Sequence, residues 1–170
     1  MKVITQFEKK PLIFSEPEFI ISCVDPCLLA GCFEDMESAL RGGYYLAGFL
    51  SYEAGYCFEE KLRKDKLYDF PLIHFGVYKA SGESKAGSLK PSSPSYPSKL
   101  RLNITQDKYF SDINTIRDYI AKGDVYQITY CLKLLFEFYG DPFSFYTQLL
   151  KEQPVPYPAY IETEKFHILS

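Results

Sequence analysis

Gly123-Asp124-Val125-Tyr126-Gln127, with the run that continues to Phe138, decides how this chain is read. Before it, Tyr109, Ile113, Ile116 and Ile120 recur at spacings of four, three and four, which is one face of a helix. Thr105 stands where a hydroxyl accepts from an orphan backbone N–H and caps the helix start. Gly123 stands where a left-handed residue closes its end. After Gly123 the period changes to two. Tyr126, Ile128, Tyr130, Leu132, Leu134, Phe136 and Phe138 make one apolar face, and Gln127, Thr129, Cys131, Lys133 and Glu137 fall on the other with Leu135. The pattern predicts a long strand from Tyr126 to Phe138 with a core face and a polar face. Its aromatic and β-branched content agrees.

Composition bounds the rest. A chain of 170 residues is long enough to bury a core and is one domain by the usual prior. With 46% hydrophobic and 24% charged residues it is globular and not disordered. A net charge of −3 lacks the general basic footprint of a nucleic-acid binder. Two histidines leave little room for a His-based metal site. The cysteines at 23, 27, 32, 57 and 131 are odd in number and form no C-x-x-C pair, so neither a disulfide framework nor a zinc knuckle is indicated. They read as small buried hydrophobes in a reducing cytosol. No signal peptide and no membrane-length apolar run is present, so a cytoplasmic protein without a membrane partner is expected.

In chain order, Met1 to Phe7 reads as a strand and Phe19 to Cys23 as a second one. Asp25 offers an N-cap, Pro26 fits the first helical position, and Leu28, Leu29, Cys32, Phe33, Met36, Ala39 and Leu40 make a helical stripe. Gly31 weakens that helix by roughly 1 kcal/mol relative to alanine. Tyr44 to Tyr52 is a strand in which Gly48 marks a bulge or a close backbone approach. Glu53, at its end, is either a site residue or a loop-start residue that binds backbone N–H groups. Leu72 to Tyr78 is a strand holding His74 among apolar neighbours, as a satisfied structural histidine. Residues 81–98, rich in Ser, Pro, Gly and Lys, read as a flexible linker that divides the chain into 1–80 and 99–170. Asp141 and Pro142 open a further helix with Phe145, Tyr146, Leu149 and Leu150 on its buried side. Pro154, Pro156 and Pro158 hold the following segment extended, and a hairpin around Thr163-Glu164-Lys165 ends the chain.

Three segments carry a family resemblance. Gly123 to Gln127 after an amphipathic helix resembles the G-D-[IV]-[FY]-Q motif of chorismate-utilising enzymes, which include anthranilate synthase component I and aminodeoxychorismate synthase component I. Gly48-Phe49-Leu50-Ser51-Tyr52-Glu53-Ala54-Gly55 is similar to a segment common in the aminodeoxychorismate branch. Gln153-Pro154-Val155-Pro156-Tyr157-Pro158-Ala159-Tyr160 resembles the family's P-x-P-[YF]-x-A-[YF] element.

The resemblance implies an α+β (mixed α/β) fold in which large antiparallel sheets pack face to face with helices outside. It implies amination of chorismate to 4-amino-4-deoxychorismate, on the route to p-aminobenzoate and folate, with ammonia from a glutamine amidotransferase subunit. Mg²⁺ serves the reaction in the family, bound by glutamates whose motifs have no counterpart here, so no catalytic residue is carried over and residues 99–170 are expected to be an incomplete chorismate-binding domain. The chain is accordingly expected to be the amino-terminal part of a larger enzyme and inactive alone. Two sets of residues remain as site candidates. Gln127, Thr129 and Lys133 are candidates for a substrate cleft, although the family usually has Asn where Thr129 stands. Pro154, Val155, Pro156 and Tyr157 are candidates for an amino-acid pocket, because the matching element of anthranilate synthase helps bind tryptophan. Gln153 and Val155 replace its Asn and Ser. Alternative readings are an anthranilate synthase component I fragment, a non-catalytic module for an aromatic amino acid, or a glutaminase-docking module.

Overall fold

The structure, a computed structural model, describes residues 1–7, 10–64, 66–83 and 94–170. It mixes helices with antiparallel sheets, as the α+β expectation requires. Ten strands and three α-helices are described: β1 (Lys2–Phe7), β2 (Lys10–Phe14), β3 (Phe19–Cys23), α1 (Leu29–Arg41), β4 (Tyr45–Leu50), β5 (Ile73–Tyr78), β6 (Gly82–Glu83), β7 (Tyr96–Leu102), α2 (Gln106–Lys122), β8 (Leu134–Tyr139), α3 (Pro142–Glu152), β9 (Ala159–Glu162) and β10 (His167–Leu169). They fall into two compact units, one of Met1–Lys90 with Tyr146–Ser170 and one of Pro91–Phe145. Of the stretch read as a linker, 84–93 lies outside the described residues; Gly82–Glu83 and Tyr96–Ser98, at its two ends, are in strands.

The first unit is layered. A five-stranded sheet runs β10-β9-β1-β2-β6 and a three-stranded sheet runs β3-β5-β4, every pairing antiparallel. Alternation along β3 and β5 sends Ile21, Cys23, Ile73 and Val77 to one face, where they meet Leu29, Cys32 and Ala39 of α1. Ala47 of β4 and Tyr78 of β5 point the other way and join Val3, Phe14 and Ile161 of the larger sheet. The small sheet is therefore covered on both sides. Asp25 accepts from the Cys27 N–H at 2.9 Å and Pro26 follows, as expected, but they open a short 3₁₀ turn that leads into α1. At the edges of the α1 stripe, Leu28 and Leu40 are exposed.

The second unit corrects the opening expectation. The strand begins only at Leu134; residues 124–133 form no ladder. Its partner β7 ends at Leu102, which pairs with Leu134. Asn103 then closes the ribbon, its N–H donating to the Lys133 carbonyl at 3.0 Å and its Oδ1 accepting from the Lys133 N–H at 2.9 Å. The chain turns directly into Thr105, which caps α2, so no strand is left in this ribbon for 124–132 to pair with. The expected core face is also open: Leu134 and Phe136 are exposed and Tyr126 is 93% exposed. Of the α2 stripe, Tyr109, Ile113 and Ile116 are half-buried and Ile120 is exposed. One helix and a two-stranded ribbon have too little surface to bury both.

Two glycines give a stability test. A Cβ on Gly48 would lie 2.1 Å from the His74 carbonyl oxygen of the neighbouring strand, the close approach the sequence suggested; at Gly31 a Cβ would meet nothing within 4 Å. Gly48→Ala is expected to lower unfolding stability by about 2 kcal/mol, and Gly31→Ala to raise it by roughly 1 kcal/mol, as read from denaturant midpoints.

Candidate functional site

The Gly123–Gln127 motif sits at the end of α2. Gly123 adopts φ +79°, the left-handed conformation that the sequence required, and its N–H closes on the Ile120 carbonyl at 3.1 Å. Beyond it the segment is tied back by side chains. The Tyr130 hydroxyl donates to Asp112 Oδ2 at 2.6 Å, and Lys108 Nζ reaches Asp112 Oδ1 at 2.5 Å. Lys108 and Tyr130 together hold the Asp112 carboxyl below the usual aspartate range. The same carboxylate raises the Tyr130 phenol. Gln127, Thr129 and Lys133 all lie exposed on or at the end of this irregular segment. Among the described residues, no side-chain hydrogen bond or ion pair occupies them. They stand as exposed, unengaged polar groups on the second unit.

The other candidates belong to the first unit. The proline-rich segment is fastened to β1: the Pro158 carbonyl accepts from the Gln6 N–H and from the Thr5 hydroxyl, each at 3.2 Å. Ala159 then pairs with Thr5 as β9 begins. This places Tyr157 on a cavity of about 620 Å³ between the two sheets. Phe14, Leu46, Phe75 and Ile161 make it apolar, and Thr5 and Gln6 bring the polar groups. Val155 lines a different cavity of about 300 Å³ with Gln153, Leu149 and Leu169. Pro154 and Pro156 line neither and are exposed. The structure thus separates Tyr157 from Val155 and brings Tyr157 to Thr5, Gln6, Phe14 and Phe75. Sequence reasoning missed those four, because their meeting depends on β1 pairing with β9 across most of the chain.

Other expectations resolve locally. Glu53 is exposed in the first turn of the 3₁₀ helix Tyr52–Cys57. His74 Nδ1 and Ser22 Oγ are 2.9 Å apart, the satisfied histidine that was expected. The Cys23 thiol is pushed up to about 12, first by burial and then by its hydrogen bond with Cys32, which suits an unreactive core residue. Among the described residues, no three His, Cys, Asp or Glu side chains converge as a metal site would require. They do not fit Mg²⁺, and Asp112 is already engaged by Lys108 and Tyr130. No helix among them is long and apolar enough to cross a membrane.

The profile of the chorismate binding enzyme family matches residues 79–170, a little over half of the chain, and the chain belongs to this family. Individual relatives match over shorter stretches. Aminodeoxychorismate synthase component 1 of Bacillus subtilis (strain 168) is 33% identical over 66 residues, 39% of this chain and 14% of that protein. Anthranilate synthase component 1 of Synechocystis sp. is 31% identical over 67 residues, 39% of this chain and 13% of that protein. The anthranilate synthase component 1 of Lactococcus lactis is 27% identical over 67 residues, 39% of this chain and 15% of that protein. The matched stretch thus spans about one-seventh of these relatives' length.

The Asp112 anchor has a pH consequence. A carboxyl held below its unfolded pKa stabilises the fold above the ordinary aspartate range and loses that contribution as pH falls through its folded value. Asp112→Asn is expected to flatten the acid-side fall of the unfolding midpoint, and Tyr130→Phe to speed amide exchange across 124–133. Unchanged slopes and exchange rates in these variants would show that the anchor contributes nothing.

Proposed function

We propose that this chain is part of an aminodeoxychorismate synthase component I, with an anthranilate synthase component I-like fold. It would act on chorismate with ammonia from a glutamine amidotransferase subunit. The observation that carries the reading is the family match over 79–170, which includes Gly123–Gln127. The Gly48–Gly55 segment favours the aminodeoxychorismate branch over anthranilate synthase. Mg²⁺ would be held by residues other than those described. Within these 170 residues, Gln127, Thr129 and Lys133 are the groups offered to an anionic substrate.

The test uses the whole reading frame that encodes this chain, supplied with chorismate, Mg²⁺ and ammonium. Formation of 4-amino-4-deoxychorismate is expected. Anthranilate as the product would move the assignment to the other branch, and neither product would overturn the enzyme reading. The 170 residues alone are expected to give no turnover, and chorismate consumption by the purified chain would contradict that.

The Tyr157 cavity favours a second reading alongside the first, a site for an aromatic amino acid. Its volume of about 620 Å³ and its apolar walls suit an aromatic side chain. Among the described residues no charged side chain lines it, so the zwitterionic end would rest at the open mouth near Thr5 and Gln6. The chain contains no tryptophan, so free L-tryptophan excited near its red edge reports binding without protein background. A saturable emission change is expected, weakened roughly tenfold by Tyr157→Ala. A titration that leaves the ligand's emission unchanged would exclude this reading.

A further inference from the structure

A second cleft, of about 440 Å³, opens on the face of the β3-β5-β4 sheet that points away from α1. Ser22 and His74 are register partners on β3 and β5, so their side chains emerge side by side on that face. The His74 ring clusters with Phe49 and Phe166, with centroids 5.8 and 5.9 Å away. Phe166 belongs to the β9–β10 turn, which lays Glu164 and Lys165 along the same cleft. Ile20, Val24, Pro71 and Phe166 supply apolar walls. Burial keeps the imidazole neutral, aided by the nearby amino-terminal ammonium.

The Ser22–His74 pair leaves one proton donor over, whichever way it is arranged. If Ser22 donates to Nδ1, the neutral ring carries its proton on Nε2. If Nδ1 donates to Ser22 Oγ, the hydroxyl proton is left to point elsewhere. Among the described residues, the Lys165 ammonium has no ion-pair partner. The Lys165 and amino-terminal ammonium groups, offset by Glu164, leave one net positive charge, which with the neutral donor and the apolar wall matches a single carboxylate on an apolar body. A bare dianion fits less well, because Glu164 stands on the rim and the apolar walls would go unused.

We propose that this cleft is a binding site for a small ring-bearing monocarboxylate, its carboxylate on the Ser22–His74 pair and Lys165 and its ring against Ile20, Val24, Pro71 and Phe166. The site is distinct from the Tyr157 cavity, and among the described residues the two share no lining residue.

Benzoate is the probe, titrated into the 170-residue chain at neutral pH with the imidazole signals followed by NMR. The chain has two histidines, and His167, within 3.0 Å of the Tyr160 hydroxyl, serves as the internal reference. A saturable shift of His74 without one at His167 is expected. Lys165→Gln is expected to weaken binding roughly tenfold and Ser22→Ala about threefold or more. Benzamide and inorganic phosphate are each expected to bind about tenfold more weakly than benzoate. Tyr157→Ala should leave benzoate affinity unchanged, which separates this site from the larger cavity. The proposal is overturned if His74 does not respond, if benzamide or phosphate matches benzoate, if Lys165→Gln binds as tightly as the parent, or if Tyr157→Ala weakens binding in parallel.

Discussion

The pairing of β1 with β9 is the constraint on which the first unit depends. Lys2 to Thr5 lie in antiparallel register with Glu162 to Ala159, and the Pro158 carbonyl takes two further hydrogen bonds from Gln6 and Thr5. The Thr5–Pro158 bond joins residues 153 positions apart. The loop-closure entropy grows only slowly with such length, so the pairing is favourable once side chains bury around it. Val3 and Ile161 meet as register partners inside the core that also holds Phe14, Ala47 and Tyr78. Without β9 in place, β1 would be an edge and that core would be open on one side.

Both clefts of the first unit follow from the same pairing. β9 brings Tyr157 to the space between the sheets, and the turn after β9 brings Phe166 onto Phe49, Phe70 and His74. The small sheet is thus used on three fronts. One face carries α1; the other carries the larger sheet at Ala47 and Tyr78 and the turn at His74. A chain of this family can therefore hold ligand-sized spaces in a region that has no converging set of metal-ligating side chains among its described residues.

Local signals were legible in the sequence because local physics decides them. The Thr105 cap, the left-handed Gly123, the close approach at Gly48 and the Asp25-Pro26 start all stand as their residue types dictate. The terminal hairpin was legible for the same reason. The strand from Tyr126 was not, because a period of two states which side chains share a face but does not supply a partner strand. Asn103 ends the ribbon at Lys133, and Tyr130 leaves the would-be ladder for Asp112. The Tyr157 cavity was half legible. Its proline-aromatic element was visible, but Thr5, Gln6 and Phe14 enter only through long-range pairing that periodicity does not encode. The Ser22–His74 cleft was legible only as a histidine among apolar neighbours; cross-strand register supplied its partner.

β9 is a strand of the amino-terminal sheet, and cross-strand NOEs with amide exchange test that pairing most directly. Ile4–Tyr160 and Lys2–Glu162 cross-strand contacts are expected, with the β1 and β9 ladder amides protected together. Absence of those contacts, with 159–170 exchanging at unfolded rates, would contradict it and remove the basis of both clefts.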